Sequence, residues 1–384
     1  MTDGDQILTT HVGSLPRSAE VASLIFAREN GENVDAATFE SVIASAVDDA
    51  VRKQKESGVD IVSDGEMSKI SYATYIKDRI SGFEGDCART PPADLERFPA
   101  FLERQAKSGG TPSYRRPECV GEVRPVTLAP LAEDIRRLDA AIARHKPKAA
   151  FMNAASPGVI ALFQPNRHYP SQEQYLEALA EAMRPEYEAI VEAGLLLQID
   201  SPDLGLGRHT MYKDRDEAEY LGLAERHVEA LNHALRNIPA DRVRMHVCWG
   251  NYEGPHVCDI EMATILPIVM RAKPQALLFE TANPRHGHDW EAFRDARGTI
   301  PDDKVLVPGV IDSTTNFVEH PRLVAQRIMT FANIVGRDRV IAGTDCGFST
   351  FAGFGAVDPE IVWAKLGSLS EGARIASQEL WKAA

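Results

Sequence analysis

The chain has 384 residues, 44% hydrophobic, 26% charged and 7% aromatic, a globular composition that excludes disordered, collagen-like and disulfide-scaffold classes. Its 42 Lys and Arg against 56 Asp and Glu leave a formal net charge of −14, which excludes the broad positive field that nucleic-acid or anionic-membrane attachment needs. The opening stretch Met1–Gln6 has no basic segment followed by an apolar one, and no apolar run approaches the roughly 20 residues of a membrane span. A cytoplasmic protein with no nucleic-acid or membrane partner is expected.

Eight short apolar, β-branched runs punctuate the chain: 7–12, 59–62, 149–152, 195–199, 243–247, 276–279, 305–307 with 310–311, and 340–342. They read as strands buried on both faces, the pattern of a parallel sheet. Helical stretches with start signals lie between them. Ser171 and Gln174 form a capping-box pattern ahead of 175–193, and Asp216 and Glu219 another ahead of a helix through Leu235. Pro321 and Pro359 each occupy an expected first helical position. Eight such units predict an α/β fold, a single (β/α)8 TIM barrel over 1–384, with a doubly wound open sheet as the alternative. The stretch from about 86 to 124, with five prolines and the Gly109-Gly110 pair, reads as an insertion after the second unit. It is expected to be largely irregular or to carry a small hairpin, or to form a lid over the barrel mouth.

In such a barrel the chemistry sits where strands end. His246 and Cys248 close the fifth run, Glu280 the sixth and Cys346 the eighth. Residues i and i+2 of a strand share a side, so His246 and Cys248 can reach one point. Imidazole with thiolate suits zinc, and Glu280 and Cys346 can complete a tetrahedral set. Zinc bearing two thiolates is a weak Lewis acid. It suits holding an incoming thiol as a nucleophilic thiolate, hence S-alkylation rather than hydrolysis. The five cysteines are odd in number and without paired spacing, so no disulfide framework is expected.

Six motifs then carry a resemblance: Thr9–Arg17 (Thr-Thr-His-Val-Gly-Ser-Leu-Pro-Arg), Asp60–Glu66, Leu197–Asp200, His246–Cys248, Phe279–Thr281 and Asp345–Gly347. The chain resembles the cobalamin-independent methionine synthase family, in its catalytic C-terminal half. The resemblance implies a (β/α)8 barrel, a Zn2+ held by His246, Cys248, Glu280 and Cys346, and a homocysteine site at Ser14, Glu66 and Asp200. It implies methyl transfer to homocysteine, giving methionine. The chain is similar to the family's short members, which include epoxyalkane:coenzyme M transferases and proteins thought to take methyl groups from a corrinoid protein. Partners implied are therefore a small thiol, an alkyl donor and, for some relatives, a corrinoid protein. A homodimer is the expectation from the base rates of such barrels.

Coenzyme M carries a sulfonate and no amine, so its site needs Arg or Lys; Arg17, Arg79, Arg208 and Arg285 stand near strand-end motifs. Glu66 and Asp200 instead favour an amine-bearing thiol. His286 is a candidate proton donor to the leaving group. His256 and Cys258 mimic the His-x-Cys spacing but read as structural. A metal-free lyase resembling uroporphyrinogen decarboxylase, and a module that only docks a corrinoid protein, complete the alternatives.

Overall fold

The computed structural model describes residues 2–88, 90–107 and 115–382. Two strands open the chain's sheet pairing: β1 (Ile61–Val62) in the main sheet, and β2 (Phe83–Glu84), which pairs antiparallel with β3 (Glu118–Cys119) in a separate hairpin. The main sheet continues with β4 (Ala149–Ala155), β5 (Leu196–Asp200), β6 (Val243–His246), β7 (Ala276–Phe279), β8 (Val305–Ile311) and β9 (Gly343–Thr344). These seven strands pair in parallel in the order β1-β4-β5-β6-β7-β8-β9.

The first apolar run supplies the eighth stave, as single bridges rather than a named strand. Thr9 bridges Ala342 and Thr10 bridges Ile61, both parallel. Thr10 N–H donates to the Ala342 carbonyl at 2.9 Å, and Ile61 N–H to the Thr9 carbonyl at 3.0 Å. These bonds join β1 to the β9 side and curl the sheet into a TIM-barrel-like ring. The run falls short of a regular strand because the Thr9 N–H is taken by Asp60 Oδ2 at 3.0 Å.

Alternation along the strands divides the core. Ala276, Leu278, Val305 and Val307 pack inside the ring with Leu8, Val12, Phe151 and Ile341. Leu277, Phe279 and Leu306 face the helical layer. On β6 the inner positions are Arg244 and His246. The buried Arg244 guanidinium donates to Thr10 Oγ1 at 2.8 Å and to the His11 carbonyl at 2.6 Å. It also lies 4.0 Å over the Phe151 ring, so a cation plugs the barrel below the site.

The start signals place the helices. Ser171 caps Gln172–Glu192, Asp216 and Glu219 form a complete capping box on Glu217–Ala234, and Pro321 and Pro359 begin Pro321–Val335 and Pro359–Lys382. The segment between β1 and β4 departs from the irregular chain expected. Besides the hairpin it forms helices Ala93–Arg97 and Pro99–Lys107. Pro99, one of the five prolines of that stretch, occupies the first helical position, where proline's missing N–H costs nothing. Arg89 and residues 108–114, with Gly109, Gly110 and Pro112, lie outside the described residues.

Candidate active site

The mouth of the ring gathers what the strand ends carry. His246 closes β6, Cys248 follows two residues later, and Cys346 follows β9. One donor atom from each lies within 4.8 Å of the others, and all three residues are buried. The two sulfur atoms stand 3.8 Å apart. Gly250, at φ +121, turns its N–H back onto Cys248 Sγ at 3.2 Å, a conformation that a side chain would resist. The His246 ring meets the Asp345 carbonyl through Nε2 at 3.1 Å, while Nδ1 lies 3.7 Å from Asp200. The neighbouring Cys346 thiol, together with burial, pushes the Cys248 thiol well above its ordinary range. Without a cation nearby the Cys248 thiol stays protonated.

Glu280 lies outside that trio. Its Oε1 accepts the Trp249 N–H at 2.9 Å and its Oε2 accepts Asn283 Nδ2 at 2.8 Å. Burial, and then the neighbouring Cys248 sulfur, hold its carboxyl well above the usual range. The loop that presents it is tied down by Asp345, whose carboxylate accepts the N–H groups of Thr281, Ala282 and Asn283 at 2.8–2.9 Å.

A cavity of about 430 Å³ opens on the trio, lined in part by Ser14, Glu66, Asp200, His246, Cys248 and Cys346. Glu66 is held unusually. Its φ of +58 is left-handed, and its carbonyl accepts Arg17 Nε at 3.1 Å and Arg17 Nη2 at 2.7 Å. Its buried Oε2 has no hydrogen-bond partner among the described residues. Burial pushes the Glu66 carboxyl up to about 7, against the opposing pull of Lys69. The Lys69 ammonium is itself bonded to the Asn153 carbonyl at 2.7 Å. Asp200 accepts Asn153 Nδ2 at 3.0 Å and Gln198 Nε2 at 2.9 Å.

The four arginines proposed for a sulfonate are engaged elsewhere. Arg17 serves the carbonyls of Glu66 and Ser349 and does not line the cavity, so it positions the site rather than touching a ligand. Arg79 is clamped between Asp134 at 2.7 Å and Glu186 at 3.0 Å. Arg285 pairs with Glu261 at 3.1 Å, and the Arg208 guanidinium meets the Lys213 carbonyl at 3.5 Å. His286 is also absent from the cavity wall. Its ring packs behind Trp249, with centroids 4.6 Å apart, and binds Asp259 and Asp289. That placement removes it as a proton donor at the cavity.

Two features escape a motif reading. Asn251 lines the cavity and donates to the Gly347 carbonyl at 2.7 Å and to Thr350 Oγ1 at 2.6 Å, lacing the β6 loop to the loop after β9. An outer cavity of about 1840 Å³ shares Tyr72, Leu206, Gly250, Asn251 and Thr350 with the inner one. Its wall adds Phe101, Phe163, Tyr252, Arg104 and Arg116. Phe101, Arg104 and Arg116 come from the segment between β1 and β4, whose aromatic and basic residues were legible but had no strand end to point to.

A curled parallel α/β barrel with this cluster at its mouth defines a class, and comparison places the chain within it. Residues 7–90 and 95–358 match the family described as cobalamin-independent synthase, catalytic domain, and the chain belongs to that family. It is 25% identical over 377 residues to the methionine synthase of Saccharolobus islandicus (strain Y.N.15.51 / Yellowstone #2), covering 97% of this chain and 95% of that one. The methionine synthase of Saccharolobus solfataricus is also 25% identical, over 381 residues, with the same coverage. Among solved structures it is similar in fold to the B12-independent methionine synthase of Shewanella sp. W3-18-1, with TM-score 0.72, 19% identity, and 98% and 99% of the two chains covered. No helix among the described residues is long and apolar enough to cross a membrane.

Proposed function

We propose that this chain is a thiol S-methyltransferase that converts homocysteine to methionine, with a zinc ion held by His246, Cys248 and Cys346. The donor set fits that ion: two buried thiols 3.8 Å apart beside an imidazole, the borderline-soft combination that zinc prefers. Glu280, whose oxygens accept the Trp249 N–H and Asn283 Nδ2, would complete the set as a fourth ligand on releasing one of them. When bound, zinc supplies positive charge that ionises an incoming thiol while leaving its sulfur nucleophilic.

The remaining work belongs to the chain. Glu66 and Asp200 face the inner cavity, and the homocysteine ammonium lies against them. Ser14 and Asn251 border the same space. The held thiol sulfur attacks the donor's methyl carbon; the new S–C bond forms as the carbon's bond to the donor breaks and its electron pair leaves with the donor. The aromatic outer cavity, carrying Arg104 and Arg116, suits a flat anionic methyl donor better than a small epoxide.

One observation carries the choice of thiol. The inner cavity presents two carboxylates, and no Arg or Lys is among its lining residues. An ammonium is attracted there and a sulfonate repelled. The test is methyl transfer to homocysteine compared with 2-mercaptoethanesulfonate at equal thiolate concentration. Homocysteine turnover with little transfer to the sulfonate is expected; the reverse preference overturns the reading.

A further inference from the structure

Behind Trp249, on the side away from Cys248, lies a second buried cluster with its own logic. His256 Nδ1 is 2.9 Å and His286 Nε2 3.0 Å from the same atom, Asp259 Oδ2. These three donor atoms lie within 4.8 Å of one another, and all three residues are buried. The atoms facing outward are also anchored. His256 Nε2 meets the Tyr252 carbonyl at 3.0 Å, and His286 Nδ1 meets Asp289 Oδ2 at 2.8 Å. The other Asp259 oxygen is 2.8 Å from Nδ1 of the buried His209.

This pattern constrains the protons. Both rings face acceptors through both nitrogens, so in the bare protein both must be imidazolium cations. Two cations and two carboxylates, Asp259 and Asp289, are then packed together out of water, at a desolvation cost that pairing only partly offsets. A single divalent ion carries the same total charge. It replaces the two inward protons and leaves both rings neutral, with their outer N–H groups already donating to a carbonyl and a carboxylate. Ligand histidines are oriented in this way in metal proteins.

We propose that His256, Asp259 and His286 form a second metal site, for a borderline divalent ion such as zinc, separate from the cysteine-containing cluster. His209 and Asp289 hold its ligands in place without coordinating. Imidazole and carboxylate donors suit such an ion, and burial without thiolates points to a structural rather than a hydrolytic role. The ion pins the loop after β6 to the loop after β7 and braces the back of Trp249, whose backbone N–H is bonded to Glu280.

The experiment is metal content and cobalt substitution on the full chain, comparing wild type with Cys248→Ser/Cys346→Ser and with His286→Gln. Purified from zinc-supplemented medium, the cysteine double variant is expected to keep one tightly held zinc per chain. Loaded with Co2+, it should show d–d bands without a sulfur-to-cobalt charge-transfer band. The His286→Gln variant should lose one zinc relative to wild type and, loaded with Co2+, retain the charge-transfer band. A cysteine double variant that is folded by circular dichroism and binds neither zinc nor cobalt overturns the proposal. So do histidine 15N shifts showing His256 and His286 doubly protonated in zinc-loaded wild type. The cysteine double variant reads the histidine cluster alone, whereas the transfer chemistry is read on wild type with its cysteines intact, so failure here leaves the proposed transfer chemistry standing.

Discussion

The sulfur atoms of Cys248 and Cys346 stand 3.8 Å apart across 98 residues of chain, closer than two thiolates would rest without a cation between them. The neighbouring Cys346 thiol, and then burial, hold the Cys248 thiol well above its ordinary range, so ionising it requires a positive charge at that point. Either Cys248→Ser or Cys346→Ser should therefore lower zinc content and methyl transfer together, transfer falling by at least about a hundredfold. Elemental analysis beside a homocysteine assay reads both quantities on one sample. Full activity in a zinc-depleted variant would refute the assignment.

The Glu66 carboxyl is pushed up to about 7 by burial and has an unpartnered oxygen at the cavity. An ammonium ligand needs it ionised, so affinity for methionine, which has no thiol to complicate the titration, should weaken as pH falls through about 7. Glu66→Gln should raise the Kd about tenfold to a hundredfold above that pH and flatten its pH dependence. The stability sign is opposite. A carboxyl raised above its unfolded value stabilises the fold fully at low pH and loses that contribution as pH climbs through about 7. Calorimetric Kd values between about pH 6 and pH 8, with urea midpoints at the same pH values, separate the two effects. An unchanged Kd in Glu66→Gln would remove the ammonium role.

Much of this arrangement is legible in the sequence, because strand ends of a barrel converge wherever the apolar runs are correctly placed. The seventh run, with its break at Pro308 and Gly309, is one strand, and the first is a pair of bridges because Asp60 intercepts the Thr9 N–H. What sequence spacing cannot show is which way a side chain is spent. Arg17 and Arg79 sit beside motifs, yet their donors go to carbonyls and buried carboxylates. His286 follows a strand yet packs behind Trp249. A signal for the buried histidine cluster was present: His256 and Asp259, like His286 and Asp289, share a His-x-x-Asp spacing. It pairs residues across a turn and does not point to the strand ends.

Arg79 makes a stability prediction of its own. Its guanidinium joins Asp134 and Glu186, each partner about 5% exposed or less, and Glu186 also accepts the Tyr75 hydroxyl at 2.5 Å. Arg79→Met strands the buried Glu186 carboxylate, while Asp134 keeps Arg137 at 3.0 Å, and should cost about 3–5 kcal/mol. Adding Glu186→Gln should recover part of that loss, since the uncompensated charge is then gone. Chemical denaturation of the two variants checks this. Equal stability of Arg79→Met and wild type would show that the clamp contributes nothing.

Gly347 and Ser14 make the sharpest geometric prediction. A Cβ at position 347 would stand 2.0 Å from Ser14 Oγ and 3.2 Å from Ser14 Cβ, and both residues line the inner cavity. The fold around them is fixed by Phe348 N–H donating to the Ser14 carbonyl at 2.8 Å, so the hydroxyl must yield before the backbone does. Gly347→Ala should therefore displace the Ser14 side chain into the acceptor space and raise the KM for homocysteine about tenfold, with a stability loss of about 1–3 kcal/mol from overpacking. Ser14→Ala combined with Gly347→Ala removes the 2.0 Å clash and keeps only the two 3.2 Å contacts, with Ser14 Cβ and the Ser14 backbone nitrogen. The double variant should recover stability over Gly347→Ala alone, and its remaining KM defect then measures what the Ser14 hydroxyl contributes to holding the acceptor. Additive losses in the two single variants would show that the residues do not interact, contrary to this packing.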